Sequence, residues 1–413
     1  MDTYLSAKRT IMTPGPVEVD PRVLQAMSMP ILGQFDPAFT NIMNQTMDQL
    51  RKLFQTENEW AYPVDGTSRS GIEAVLASLI ERGDRVLVPI YGRFGHLLVE
   101  ICERYGADVH KIECTWGTVF SEEEVINHIH AIKPNIVACV HGETSTGCMQ
   151  PLAQIGKACR EQGCLFVVDA VATIGGTDVL VDEWHIDAAI GGTQKCLSVP
   201  AGMAPITYNQ RVEEVIARRK KVEQGIATKD DLDEPVRGTV VASNYFDLGM
   251  LQDYWSPRRL NHHTEATSMV YALHKGLAIL LEEGLPHRFA RHAYHEKALI
   301  AGLTAMGLEL FVSHQHKLPM VTCVCVPVGL DADRVRAFML HHFGVEIASS
   351  FGPLHGKIWR IGTMGYSCRK ENILFVLAAL EAALLHYGTK IETGKAIQAA
   401  LSYYEQTEKS AMA

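Results

Sequence analysis

The sequence predicts an α/β protein, with a mainly parallel sheet covered by helices on both faces and a smaller α+β unit at the C-terminal end. Three observations carry this. Short, almost wholly apolar runs alternate with stretches of helical length through the first two thirds of the chain, the pattern of parallel strands buried on both faces. That alternation stops at Gly284-Leu285-Pro286, a Gly-then-Pro helix terminator. Finally, 413 residues with 47% apolar and 21% charged positions suit roughly two to three ordinary globular domains.

An extended arm is expected over residues 1–17, because Thr13-Pro14-Gly15-Pro16 blocks regular structure. A large domain is expected over 18–283 and a small one over 284–413. Strands are predicted at Arg85–Pro89, Ala107–Ile112, Ile136–Val140 and Cys164–Asp169. Helices are predicted at Gly71–Arg82, Gly95–Tyr105, Ser121–Ile132 and Pro151–Gln162. The third opens on Ser121-Glu122-Glu123-Glu124, a capping box that also sets acidic charge at the positive end of the helix. A long helix, Glu265–Glu283, precedes the terminator. Beyond it come a helix, strands at Leu308–Val312 and Val321–Pro327, a helix at Asp331–Phe343, a short strand at Ile358–Ile361 and a helix at Lys370–Leu385. The charged stretch Ala217–Glu234 reads as a solvated helix and loop, and the tail after Gly388 is polar.

Several function classes are disfavoured. Against 38 Lys plus Arg stand 47 Asp plus Glu, a net charge of −9, which argues against a nucleic-acid partner. No run of 18 apolar residues occurs, and the N-terminus has no apolar signal-peptide core, so a cytoplasmic protein without a membrane partner is expected. The ten cysteines form no Cys-x-x-Cys pair and read as buried thiols in a reducing compartment. His262-His263, and the group His292, His295 and Glu296, lack a third ligand at matching spacing. They read as surface histidines, and no metal is expected. A nicotinamide dehydrogenase is disfavoured by the missing Gly-x-Gly-x-x-Gly.

The chemistry is concentrated at strand ends. Phe166-Val167-Val168-Asp169 is an apolar strand ending in an acid, and Gly191-Gly192-Thr193-Gln194-Lys195 places a lysine after a tight turn. In open α/β sheets, ligands gather at the carboxyl ends of strands. A partly desolvated lysine forms Schiff bases, and an acid there holds a heterocyclic nitrogen. Together they match the arrangement that pyridoxal phosphate (PLP) requires. The competing reading makes Asp169 a helix cap and Lys195 a surface lysine. Other strand ends add suitable groups. Asp65-Gly66-Thr67-Ser68-Arg69-Ser70-Gly71 offers N–H groups, hydroxyls and a guanidinium to a phosphate, or else a plain N-cap. Tyr91-Gly92-Arg93-Phe94-Gly95 offers an aromatic face, and His141-Gly142-Glu143-Thr144-Ser145-Thr146-Gly147 clustered hydroxyls.

From Thr13-Pro14-Gly15-Pro16 through the His141–Gly147 motif and Gln194-Lys195 to Trp359-Arg360-Ile361-Gly362, the chain resembles the class V group of fold-type I PLP aminotransferases. Within that group it is similar to the alanine–, serine– and ureidoglycine–glyoxylate enzymes. The resemblance implies the fold type I transferase architecture and a PLP cofactor. It implies that Lys195 carries the cofactor as a Schiff base and shuttles the α-proton, while Asp169 pairs with the pyridine nitrogen. Val171 and Phe94 would pack on the two ring faces, with Thr144 near the ring hydroxyl. Thr67, Ser68, Arg69 and Gln194 would surround the phosphate; Arg69 stands where relatives often carry His or a small polar residue. The segment Asn261-His262-His263-Thr264 would complete the neighbouring subunit's phosphate site through Thr264, which implies a homodimer. Arg360 is the candidate for bidentate binding of the substrate carboxylate.

Gln34 and Asn261 resemble the ureidoglycine–glyoxylate enzymes rather than the alanine or serine ones. Their amides offer the donors and acceptors that a ureido group needs. The implied reaction moves the amino group of (S)-ureidoglycine to glyoxylate, giving oxalurate and glycine in purine catabolism. The alternatives are alanine– or serine–glyoxylate transamination and, from another class, a cysteine desulfurase-like lyase. That last class normally has His before the lysine, where this chain has Gln194, and a catalytic loop cysteine, for which Cys368 is the candidate.

Overall fold

Seven strands build the central sheet: Trp60–Gly66 (β1), Arg85–Ile90 (β2), Asp108–Glu113 (β3), Ile136–Val140 (β4), Leu165–Asp169 (β5), Ala188–Ile190 (β6) and Gly202–Tyr208 (β7). Their order is β1-β7-β6-β5-β4-β2-β3. Every neighbouring pair is parallel except those of β7, which runs antiparallel to β1 and β6. The computed structural model describes residues 8–233 and 236–412; the first seven residues of the expected arm, and residues 234–235 at the end of the charged stretch, lie outside these.

Helices cover the sheet: Pro37–Phe54 (α1), Ser68–Leu79 (α2), Arg93–Arg104 (α3), Glu122–Ile132 (α4), Ala153–Gln162 (α5) and Thr267–Glu283 (α6). The central strands are buried along almost their whole length, which explains their near-continuous apolar sequences. The capping box at α4 forms, with Ser121 and Glu124 bonding to each other's backbone. Helix α2 begins three residues earlier than the apolar pattern suggests. Gly66 turns the chain out of β1 at φ +112°, a conformation glycine adopts freely, so Ser68 and Arg69 already lie in the helix.

A second layer follows α6. Val321–Cys325 (β8), Ala348–Ser349 (β9) and Ile358–Gly362 (β10) form an antiparallel sheet in the order β8-β10-β9. Leu285–Ala305 (α7), Ala332–Phe343 (α8), Lys370–His386 (α9) and Lys395–Met412 (α10) accompany it. Its apolar core gathers Trp359, Ile361, Met339, Leu380 and Tyr404, together with Met12 from the N-terminal segment. That segment is extended and tied down: Thr10 and Ile11 pair in parallel with Val345 and Glu346.

Several expectations need correction. Leu308–Val312 is not a regular strand: it meets the free edge of β8 at a single bridge, Leu310 to Val324, closed by Phe311 N–H to Cys323 O and Cys325 N–H to Glu309 O, and Leu308 turns into the core. The polar tail contains a helix, α10, packed on α7. Arg219, within the charged stretch, is buried and donates to the carbonyls of Ser78, Ile80 and Thr239. Nor are His292, His295 and Glu296 on the surface. His292 accepts from the Gly365 N–H, His295 bonds Tyr404 of α10, and Glu296 pairs with Lys317.

Candidate active site

The carboxyl ends of β1, β2, β4, β5 and β6 all open on one cavity of about 380 Å³. Thr67, Ser68, Arg69, Phe94, Thr144, Asp169, Val171, Gln194 and Lys195 line it. Nine of the residues singled out in the sequence therefore meet at one place, as the strand-end rule requires. Gly15 and Pro16 of the N-terminal segment also line it. The Lys195 ammonium donates to the Pro14 carbonyl.

Lys195 and Asp169 are only 8% and 6% exposed. Burial pulls the Lys195 amine down to about 8, helped by the charge of Arg360. Burial likewise raises the Asp169 carboxyl to about 6, against the pull of the Val171 N–H, which donates to Oδ1 at 3.0 Å. A lysine near neutrality facing a carboxyl across a small cavity is the pair needed to capture an aldehyde and hold a ring nitrogen. Asp169 is thus not a helix cap, and Lys195 is not on the surface.

At the opposite end, Thr67 occupies the N-cap of α2, yet its side chain makes no capping bond. Its hydroxyl, the exposed Arg69 and the helix N-terminus face the cavity as an anion cradle. Ser68 and Gln194 bond to each other, Nε2 to Oγ at 2.9 Å. A Cβ on Gly192 would fall 2.4 Å from Ser68 Oγ and 2.7 Å from Val171 Cγ1, so only glycine lets this wall close.

Two residues emerge only in three dimensions. Glu143 is wholly buried and accepts from the N–H groups of Phe94 (2.8 Å) and Ser145 (3.0 Å). Burial pushes its carboxyl upward. It caps α3 from outside and thereby sets the position of Phe94. Arg93 lines the cavity and lies 4.1 Å over the Phe351 ring. Both residues lie within quoted motifs, but their roles depend on partners from other strands and from the second layer.

Arg360 projects from β10, 6% exposed. It donates to Ser349 O (2.7 Å) and Thr144 O (3.0 Å) and stacks on Phe351, 4.6 Å from the centroid. Its bond to Thr144 and its charge on Lys195 put it beside the cavity. Gln34, Asn261 and Thr264 are not brought to the cavity within one chain. Gln34 Nε2 donates to Asn261 Oδ1 at 3.0 Å, and Gln34 Oε1 accepts the Glu265 N–H. Gln34 and Thr264 instead line a separate cleft. Cys323 and Cys368 are buried, and burial pushes both thiols up to about 12, the opposite of what a nucleophilic thiolate needs.

Comparison with known proteins agrees with this geometry. The aminotransferase class-V profile matches residues 31–354. An (S)-ureidoglycine–glyoxylate transaminase of Bacillus subtilis (strain 168) is 68% identical over 403 residues, 98% of this chain and 97% of the relative. An alanine–glyoxylate aminotransferase of Drosophila melanogaster is 36% identical, covering 92% of this chain and 93% of its own length. The crystal structure of the ureidoglycine–glyoxylate aminotransferase from Bacillus subtilis superimposes with a TM-score of 0.92 at 65% identity, over 98% of this chain and 100% of the other.

Proposed function

The chain belongs to the class-V aminotransferases, and from that premise we propose that it transfers the amino group of (S)-ureidoglycine to glyoxylate, acting as a cytoplasmic homodimer with pyridoxal 5′-phosphate. The products are oxalurate and glycine, which assigns the enzyme to purine catabolism. One observation carries the chemistry: a buried lysine and a buried carboxyl face one cavity whose far end is a helix N-terminus.

The residues fit the cofactor. Thr67, Ser68, Arg69 and Gln194 would surround its phosphate, Phe94 and Val171 would pack against its ring, and Thr144 would lie near the ring hydroxyl. When bound, the cofactor supplies an aldehyde to condense with amines and a ring that takes up an electron pair. Asp169 would hold the ring nitrogen in its protonated form. Lys195 would hold the cofactor's aldehyde, and its amine would carry the proton taken from the donor's α-carbon. Arg360 grips the carboxylate of the donor and of glyoxylate in turn, since both half-reactions use one site.

The amides of Gln34 and Asn261 set the donor. Their mutual bond leaves the Asn261 NH₂ and one Gln34 N–H to offer the ureido carbonyl. Because these residues and Thr264 stand away from their own chain's cavity, they serve the neighbouring subunit. Ten free thiols, most of them buried, suit a reducing compartment, and among the described residues no helix is long and apolar enough to cross a membrane. Steady-state assays with ureidoglycine, alanine and serine test the donor assignment. Preference for ureidoglycine by roughly 10⁴-fold is expected where amides would otherwise stay unpaired. A preference for alanine sinks it, and Gln34→His with Asn261→Tyr should move the enzyme toward alanine.

A further inference from the structure

We propose that Asp65, His263 and Glu265 form a binding site for a divalent transition-metal ion, zinc in the first instance, joining the strand that leads into the Thr67–Arg69 turn to the segment that carries Thr264. One ligand atom from each of the three residues lies within 4.8 Å of the others. His263 Nε2 stands 3.2 Å from Asp65 Oδ2 and 3.8 Å from Glu265 Oε2. Ligands held at ~2.1 Å around a tetrahedral ion are ~3.4 Å apart, so the two separations bracket a tetrahedral edge.

Glu265 gives an independent indication. Its side chain is 1% exposed, and among the described residues neither carboxylate oxygen has a hydrogen-bond partner of good geometry, although the Asp65 carboxyl, the Tyr254 hydroxyl and the Ala266 N–H stand beside it. Asp65 Oδ1 lacks a partner in the same way. A buried carboxylate short of well-placed donors calls for a cation or a proton.

The two histidines determine what faces the acids. His262 Nε2 lies 3.4 Å from the Asn244 carbonyl, and His262 Nδ1 lies 2.7 Å from His263 Nδ1. In one tautomer His263 Nε2 donates to Asp65 Oδ2. In the other, a hydrogen on His262 Nε2, toward the carbonyl, leaves the hydrogen between the rings on His263 Nδ1 and turns a His263 Nε2 lone pair toward both carboxylates, the tautomer a metal ligand needs. Three converging sets of lone pairs ask for a positive ion between them. Ligating histidines are commonly held in this way, by a bond at the ring's other nitrogen. One imidazole with two carboxylates suits zinc better than calcium or magnesium. The ion would make the phosphate turn and the Thr264 segment one rigid unit. None of the three ligands lines the Lys195 cavity, and metal binding is read directly rather than through transamination.

The test uses chelator-treated holoenzyme titrated with zinc chloride by calorimetry, beside the Glu265→Gln and His263→Asn holoenzymes. Diffraction on the two sides of the zinc absorption edge locates the ion. The expected result is one equivalent per wild-type chain, bound at least 100-fold more tightly than by either variant. An anomalous peak should lie between the three side chains, and chelator should lower the thermal midpoint of the wild type alone. Absence of a bound equivalent, equal binding by the variants, or a peak elsewhere overturns the proposal and leaves a shared proton as the occupant. If a variant fails to fold, the wild-type anomalous peak decides.

Discussion

Replacing Arg360 probes how the site grips its substrates. Its guanidinium is fixed from behind by Ser349 O and Thr144 O and from the side by Phe351, so two of its five N–H donors are engaged and three remain for a carboxylate. A charge-assisted hydrogen bond contributes about 1.5–3 kcal/mol. Loss of a two-pronged contact in Arg360→Gln therefore costs roughly 3–5 kcal/mol, or about 10²- to 10⁴-fold in kcat/KM. Arg360→Lys keeps the charge but loses the fork, and should fall by roughly 10- to 100-fold. The assay varies the donor and glyoxylate separately. Both carry a carboxylate, so kcat/KM should drop for both, while the spectrum of the bound cofactor is retained. The Gln variant also leaves two carbonyls without their donor, at about 1–3 kcal/mol each, so its thermal midpoint should fall. An unchanged kcat/KM for either substrate in Arg360→Gln would refute this role for the arginine.

Other consequences can be checked independently. A Cβ at Gly15 would lie 2.5 Å from Lys195 Cδ and 2.7 Å from Cε, on backbone at φ +103°. Gly15→Ala should therefore displace the lysine and shed cofactor on gel filtration; retention equal to wild type contradicts this. Capture of cofactor by the apoenzyme needs the neutral Lys195 amine, which prevails above its pKa. Burial lowers that pKa from 10.5 to about 8, so the capture rate should climb with pH and level off just above 8; a rate still climbing at pH 10 would show an ordinary lysine. On the acid side, Asp169 is raised to about 6 and becomes protonated below it. Equilibrium cofactor affinity, read by dialysis, should weaken as pH falls through 6, and no weakening there contradicts the pairing with the ring nitrogen.

How far the sequence could be read depended on whether a signal was local. Strands β2, β4 and β5 were legible because burial on both faces demands unbroken apolar runs, whereas the edge strand β3 is partly exposed and showed only through its isolated apolar positions. Strands β1 and β7 were not, since each contains proline, and β1 also ends in Asp65-Gly66. Pro63 and Pro205 are register partners, a placement that ordinary strand rules disfavour. At three residues, β6 is too short to show a period. Asp169 and Lys195 stood out because each ends a buried strand or follows a glycine turn. Glu143 did not, because its task is to accept from α3, which is remote in the chain. The contact of Pro14 with Lys195 and the meeting of Asp65 with His263 also join distant segments and leave no local trace.

Reduction of the coloured holoenzyme with borohydride, followed by peptide mapping, tests the central chemistry most directly. The label is predicted on Lys195, with Lys195→Ala forming no reducible chromophore. A label on another lysine, or a chromophore that survives in Lys195→Ala, would contradict it.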